Sequence, residues 1–125
     1  MTTAAAPQWP RKILGAAYAA LGLATMLAPD VMITLSVQDP LKSNDLTRLI
    51  FQCFGLQASL CGFIALTATF QRRTYIALGL AILPVFIFDY WFYAVEPVLT
   101  LFGSLVDAIF NVVFVVMCWI GARRT

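Results

Sequence analysis

The sequence predicts an all-α membrane protein, an antiparallel bundle of four transmembrane helices forming one domain over residues 1–125. Composition is the first reason: 62% of the residues are hydrophobic and 11% charged, whereas soluble domains run about a quarter charged and under half apolar. A chain this short leaves too much of its surface in water to hide that much apolar side chain. Length is the second, since the apolar residues gather in four runs, three of which reach the roughly 20 residues a helix needs to cross a bilayer. Short joints are the third: "QRRT" at 71–74 and "AVEP" at 94–97 force neighbouring spans antiparallel.

The first run covers residues 13–28, "ILGAAYAALGLATMLA", behind Arg11 and Lys12. A basic flank and a short apolar core imitate a signal peptide, but the run ends "TMLAPD" without a small-x-small cleavage site. A retained anchor is expected. In the loop that follows, Asp30 is expected to cap a short helix through Val37 at the membrane interface. A lid over a site and a wetted connector are the other readings of that loop. The second, third and fourth runs cover about 46–70, 74–93 and 98–122, and runs this long satisfy their backbone hydrogen bonds in lipid as helices. Pro84 is expected to kink the third and free a carbonyl toward any cavity.

Four spans put the N-terminus, the 71–74 turn and the C-terminus on one side. That side carries Arg11, Lys12, Arg72, Arg73, Arg123 and Arg124 and no acid, while the other carries Lys42, Arg48 and four acids. The positive-inside rule then makes both termini cytoplasmic. A net charge of +2 with no basic face gives no reason to expect nucleic acid. There is no histidine, and Cys53, Cys61 and Cys118 lack metal-ligand spacing, so no metal or cofactor is expected. Cys53 and Cys61 lie about 12 Å apart along one helix, too far to bridge. All three cysteines read as buried small hydrophobes.

The fourth run is the one with chemistry in it. At 100° per residue, Glu96, Thr100, Ser104, Asp107 and Asn111 fall within about 60° of one line, with Gly103 beside them. Such a polar stripe faces protein, because a central aspartate costs about 2.5–3.5 kcal/mol in lipid. Asp107 must be paired, hydrated or protonated. On the second helix Arg48, Gln52, Gly55, Ser59 and Gly62 share one face, while Cys53 and Gln57 point to the other. Gln57 and Ser59 match Asp107 in depth. Asp89 in "FDYWFY" lies near the outer mouth at the depth of Arg48, and an ion pair between them is expected. Tyr90 to Tyr93 form an aromatic cluster suited to the interface.

The structural reading makes Asp107, Asn111, Gln57 and Ser59 interhelical glue, each bond contributing about 0.6 kcal/mol, with Gly55, Gly62 and Gly103 as close-packing positions. The functional reading makes the stripe one wall of a pocket entered from the outer side. Its candidate ligand contacts are Asn111, Ser104, Gln57, Gln52, Arg48 and Tyr93, and Asp107 and Asp89 are its candidate acid–base groups.

"LGLATMLAPD" before a short apolar segment, then "RLIFQCFGLQASLCGFIAL" and a basic turn, resembles the DoxX-like group of small four-helix membrane proteins. The resemblance covers most of the chain and implies accessory or scaffold roles beside membrane-bound enzymes, with no catalytic residue carried across. Small multidrug transporters share the size but place an essential glutamate in the first helix, where this chain has no acid. The expected function is therefore an accessory protein holding a lipophilic molecule or a partner, such as a membrane-bound enzyme, against the stripe. An isomerase or cyclase acting on a hydrophobic substrate is the alternative, with a proton-coupled carrier working as a homo-oligomer as a third. Convergence of Asp107 and Asp89 on one cavity would favour an enzyme; a closed, hydrogen-bonded core would favour a scaffold.

Overall fold

The computed structural model describes residues 6–42 and 44–124. Its helices are α1 (Trp9–Leu27), α2 (Pro29–Ser36), α3 (Asp45–Thr67), α4 (Arg72–Ala81), α5 (Leu83–Tyr90) and α6 (Leu101–Arg123), with a π-helical turn, Trp91–Val95, after α5. Asp45–Thr67, Arg72–Val95 and Leu101–Arg123 are each long and apolar enough to cross a membrane. α1 and α2 meet that test only as a pair, bent by 102°.

The helix ends follow from local chemistry. Pro29 lacks an N–H and suits the first turn of a helix, so α2 begins there with Ala28 at the N-cap. Asp30 therefore lies in the first turn and caps nothing, contrary to the sequence expectation. Asn44 accepts from the Thr47 amide at 3.0 Å to start α3, one residue before the expected span. Thr100 does the same for α6 through the Gly103 amide at 2.9 Å. Pro84 opens α5 and breaks the third span between Ala81 and Leu83. None of the residues at that break lines the cavity described below, so the expected carbonyl does not reach it.

α1 and α3 pack antiparallel, backbone against backbone. Gly22 meets Gly55, and Gly15 meets Gly62, each pair lying seven residues along its helix from the other. A Cβ built on Gly22 would stand 2.5 Å from the Gly55 carbonyl oxygen, and one on Gly55 would stand 2.6 Å from the Gly22 oxygen. No larger residue fits at that distance. Around the contact, Thr25 donates to the Leu21 carbonyl at 2.8 Å and Ser59 to the Gly55 carbonyl at 2.8 Å, so both buried hydroxyls are satisfied within their own helices.

α6 packs along α1 on one side and along α4 and α5 on another. Tyr75 of α4 is 0% exposed. Its ring lies over Gly121, where an added Cβ would approach it to 2.6 Å, and its hydroxyl donates to the Pro7 carbonyl at 2.6 Å. Arg11 is buried at the same end. Its guanidinium donates to the Ala65 and Leu66 carbonyls at 2.8 and 2.7 Å, filling the unpaired acceptors at the C-terminus of α3. Gln8 binds both backbone groups of Phe70, accepting from its amide at 3.0 Å and donating to its carbonyl at 2.9 Å. Arg124 lies over the Trp9 ring at 5.8 Å. The first and last described residues and the 70–75 turn thus occupy one end of the molecule.

At the other end α2 is fastened to the start of α6. The Thr100 amide donates to the Ser36 carbonyl at 2.8 Å, the Thr100 hydroxyl to the Leu35 carbonyl at 2.6 Å, and the Gln38 amide to the Val98 carbonyl at 2.8 Å. Gly103 fits against Ser36, whose Cα a Cβ would approach to 2.7 Å.

Replacing Gly22 with Val forces the two backbones apart and lowers stability by about 1–3 kcal/mol or more, as overpacking does. Gly79→Ala, whose added Cβ meets only the Cys118 Cβ at 3.2 Å, stays near wild type; melting of both variants in detergent checks the contrast. Arg11→Lys loses the two-carbonyl fork and melts lower, by about 1.5 kcal/mol or more for a charged hydrogen bond lost in a buried setting. The same melting series reads it.

Candidate functional site

The close approach of α3 to α1 has a consequence on the far side of α3. Among the described residues α3 packs along α1 and α2 but makes no extended contact with α4, α5 or α6. Between α3 and α6, towards the α2 end, lies a cavity of about 500 Å³. Phe51 and Phe54 of α3 form one wall, Phe102, Val106 and Phe110 of α6 another, and Leu21 and Thr25 of α1 a third. Met32, Leu35 and Ser36 of α2 line it as well. Ile50, Phe54 and Phe102 line the cavity and are still 57%, 49% and 56% exposed. The exposed rim is therefore apolar; it runs along the flank between α3 and α6 and reaches Leu35 of α2, which is also 45% exposed.

Two acids reach this apolar space, Asp89 from α5 and Asp107 from α6. The Asp107 Oδ2 accepts from the Asn111 amide at 2.9 Å. The Asn111 Oδ1 accepts in turn from the Tyr18 hydroxyl at 3.4 Å, which ties the stripe to α1. Asp89 is 7% exposed and lies within side-chain hydrogen-bonding reach of Asp107 and Asn111. Its Oδ2 is buried with no hydrogen-bond partner among the described residues. Ser104 donates to the Asp89 backbone carbonyl at 3.4 Å and so holds α5 against α6. Asp89, Ser104, Asp107 and Asn111 are thus one group.

The other residues expected at the site lie apart from it. Arg48 does not meet Asp89. It faces Asp30 at 3.5 Å, both side chains largely exposed, because α2 packs beside the start of α3 whereas α5 does not. Gln57 is exposed on the outer face of α3, turned from Gly55 and Ser59, which face α1. Gln52 is half-buried without lining the cavity, and Tyr93 is exposed in the π-helical turn. Of the cysteines only Cys118 is buried; Cys53 and Cys61 share the outer face of α3. Glu96 is exposed beyond the turn and takes no part.

Two residues that the sequence reading passed over belong here, Tyr18 and Thr25. Tyr18 closes the Asn111 network and packs edge-on against Phe114, ring centres 5.3 Å apart. Thr25 sits three residues beyond Gly22 on the face turned to α3. The signal available for both was the Gly15–Gly22 spacing, which equals that of Gly55 and Gly62 and marks the inward face of α1.

The arrangement can bind an apolar body and offer it carboxyl oxygens. Among the described residues no group of three or more His, Cys, Asp or Glu side chains could hold a metal ion. Replacing Asp107 with Leu strands the buried Asn111 amide and costs about 1–3 kcal/mol. Asp107→Asn keeps an acceptor and melts close to wild type. Tryptophan-fluorescence melting in detergent compares the two.

In comparison with known proteins, no family model matches this chain, and no curated protein and no solved structure gives a significant match.

Proposed function

We propose that this is a multi-pass membrane protein with four antiparallel spans, α1 with its α2 elbow, α3, α4–α5 and α6, which holds a lipophilic molecule in the cavity between α3 and α6. Both termini are cytoplasmic in this reading. It rests on the shared end of the two termini and the 70–75 turn, with Lys12, Arg72, Arg73, Arg123 and Arg124 exposed there. The protein serves membrane-bound metabolism as an accessory or scaffold, which is also what the resemblance to the DoxX-like group implies.

One observation carries the proposal: an apolar cavity of about 500 Å³ with exposed phenyl and aliphatic rims and two carboxyls inside it. Its volume lies within the roughly 300–1,000 Å³ of small-molecule sites. An opening rimmed by Ile50, Phe54 and Phe102 admits a molecule already dissolved in the bilayer, with no passage through water.

A second reading has its own support, since Asp89 and Asp107 reach the same cavity. Two carboxyl groups in contact can divide acid and base roles. One carboxylate takes a proton from carbon while the other carboxylic acid gives one back, which moves a double bond without net change. An isomerase of that kind would use the same binding space.

A neutral alkyl alcohol carrying a photoreactive diazirine, added to protein in lipid nanodiscs, is expected to label α3 and α6 at the cavity walls. Val106→Trp fills the space and is expected to reduce that labelling several-fold while the melting temperature holds. Equal labelling of both proteins would remove the ligand-binding reading.

A further inference from the structure

We infer that the ligand this cavity takes is a lipophilic cation, an amine whose protonated head is received by Asp89 and Asp107 and whose apolar body lies between α3 and α6. This rests on the ligand-binding reading and adds the chemical class.

The polar inventory of the cavity consists of acceptors and hydroxyls. Asp89 is 93% buried by its 7% exposure, and its Oδ2 is left with no partner among the described residues. A buried acceptor left without a donor costs about 1–3 kcal/mol, more when it is charged. Donors near it are largely engaged elsewhere. The Asn111 amide gives one N–H to Asp107, the Thr25 hydroxyl goes to the Leu21 carbonyl, and the Ser104 hydroxyl to the Asp89 main chain. No lysine or arginine among the described residues lines the cavity, and Arg48, on the same helix as Phe51 and Phe54, is turned to Asp30. A ligand that brings a positively charged N–H supplies both the donor and the counter-charge.

The walls agree. Phe51, Phe54, Phe102 and Phe110 line the space, and phenyl faces attract ammonium groups where water is excluded. A fatty acid or a phosphate head would bring a further negative charge beside two carboxyls. A sterol-like alcohol could donate one hydrogen bond but would gain nothing from their charge. The cation is the class that uses every feature present.

Two diazirine probes of one alkyl chain length, one ending in a tertiary amine and one in a hydroxyl, test this in nanodiscs. Labelling of the cavity walls is normalised to the outer α3 segment 60–64, which reports enrichment of each probe in the bilayer. The amine is expected to label the cavity about tenfold more than the alcohol, as a charge-assisted hydrogen bond implies. Asp89→Asn is expected to bring the amine down to the alcohol's level. Should Asp89→Asn fail to fold, Asp107→Asn is read in the same way, with a partial loss expected. Equal normalised labelling of the wild-type cavity by both probes overturns the cation and leaves the ligand-binding reading standing. An amine preference that survives in the folded variant also overturns it. No cavity labelling by either probe overturns both.

Discussion

The backbone contact between α1 and α3 is the constraint from which the rest of the architecture follows. In lipid, two helices gain little by burying apolar side chains against each other, because acyl chains solvate those side chains equally well. Close approach of small residues is what remains. The Gly22–Gly55 and Gly15–Gly62 pairs bring the main chains so near that a methyl group at any of these positions would overlap peptide atoms. α3 is thereby fixed to α1, and its opposite flank makes no extended contact with another described helix. α6, held to α1 by the Tyr18–Asn111 bond and to α4 by the Tyr75–Gly121 contact, cannot also close on α3. The cavity is the space left by satisfying both sets of contacts.

That space would be an ordinary packing gap if the acids faced elsewhere. Asp107 sits on the α6 stripe one turn before Asn111, so the rotation that buries Asn111 against α1 also turns Asp107 inward. Asp89 arrives independently, because the break at Pro84 and the Ser104 bond set α5 against the same part of α6. Two costly carboxyls in one apolar place are harder to explain as glue than either alone. Glue would pair the buried oxygens, as Asn111 pairs the Asp107 Oδ2, whereas the Asp89 Oδ2 has no partner among the described residues.

Much of this was legible in the sequence, for reasons that also mark its limits. The α6 stripe could be read because positions within one helix are related by a fixed rotation, so Ser104, Asp107 and Asn111 share a side whatever they pack against. The same rotation separated Gln57 from Gly55 and Ser59; grouping it with Asp107 rested on depth alone, and depth does not fix direction. The Arg48–Asp89 pair was drawn from equal depth on consecutive spans. Consecutive spans need not pack, and here α3 turns to α1 and α2. Arg11 was counted as one more positive charge, which composition can show. That its guanidinium occupies the Ala65 and Leu66 carbonyls depends on where α3 ends beside α1, which no local pattern encodes.

The bend at Ala28 shapes the α2 end of the cavity. Had α1 continued straight, its last turns would have run on beside α3, and the α2 end of the cavity would have lacked Met32, Leu35 and Ser36. Pro29 instead starts a new helix at 102° to α1. The bonds from Thr100 and Gln38 fasten its far end across to α6, leaving neither the Ser36 nor the Leu35 carbonyl free. The exposed rim runs along the flank between Phe54 and Phe102 and reaches Leu35 of α2. In the proposed ligand-binding reading, a molecule reaching the carboxyls by that route first partitions into the bilayer, so the fold selects for solubility in lipid before any side chain selects the head group.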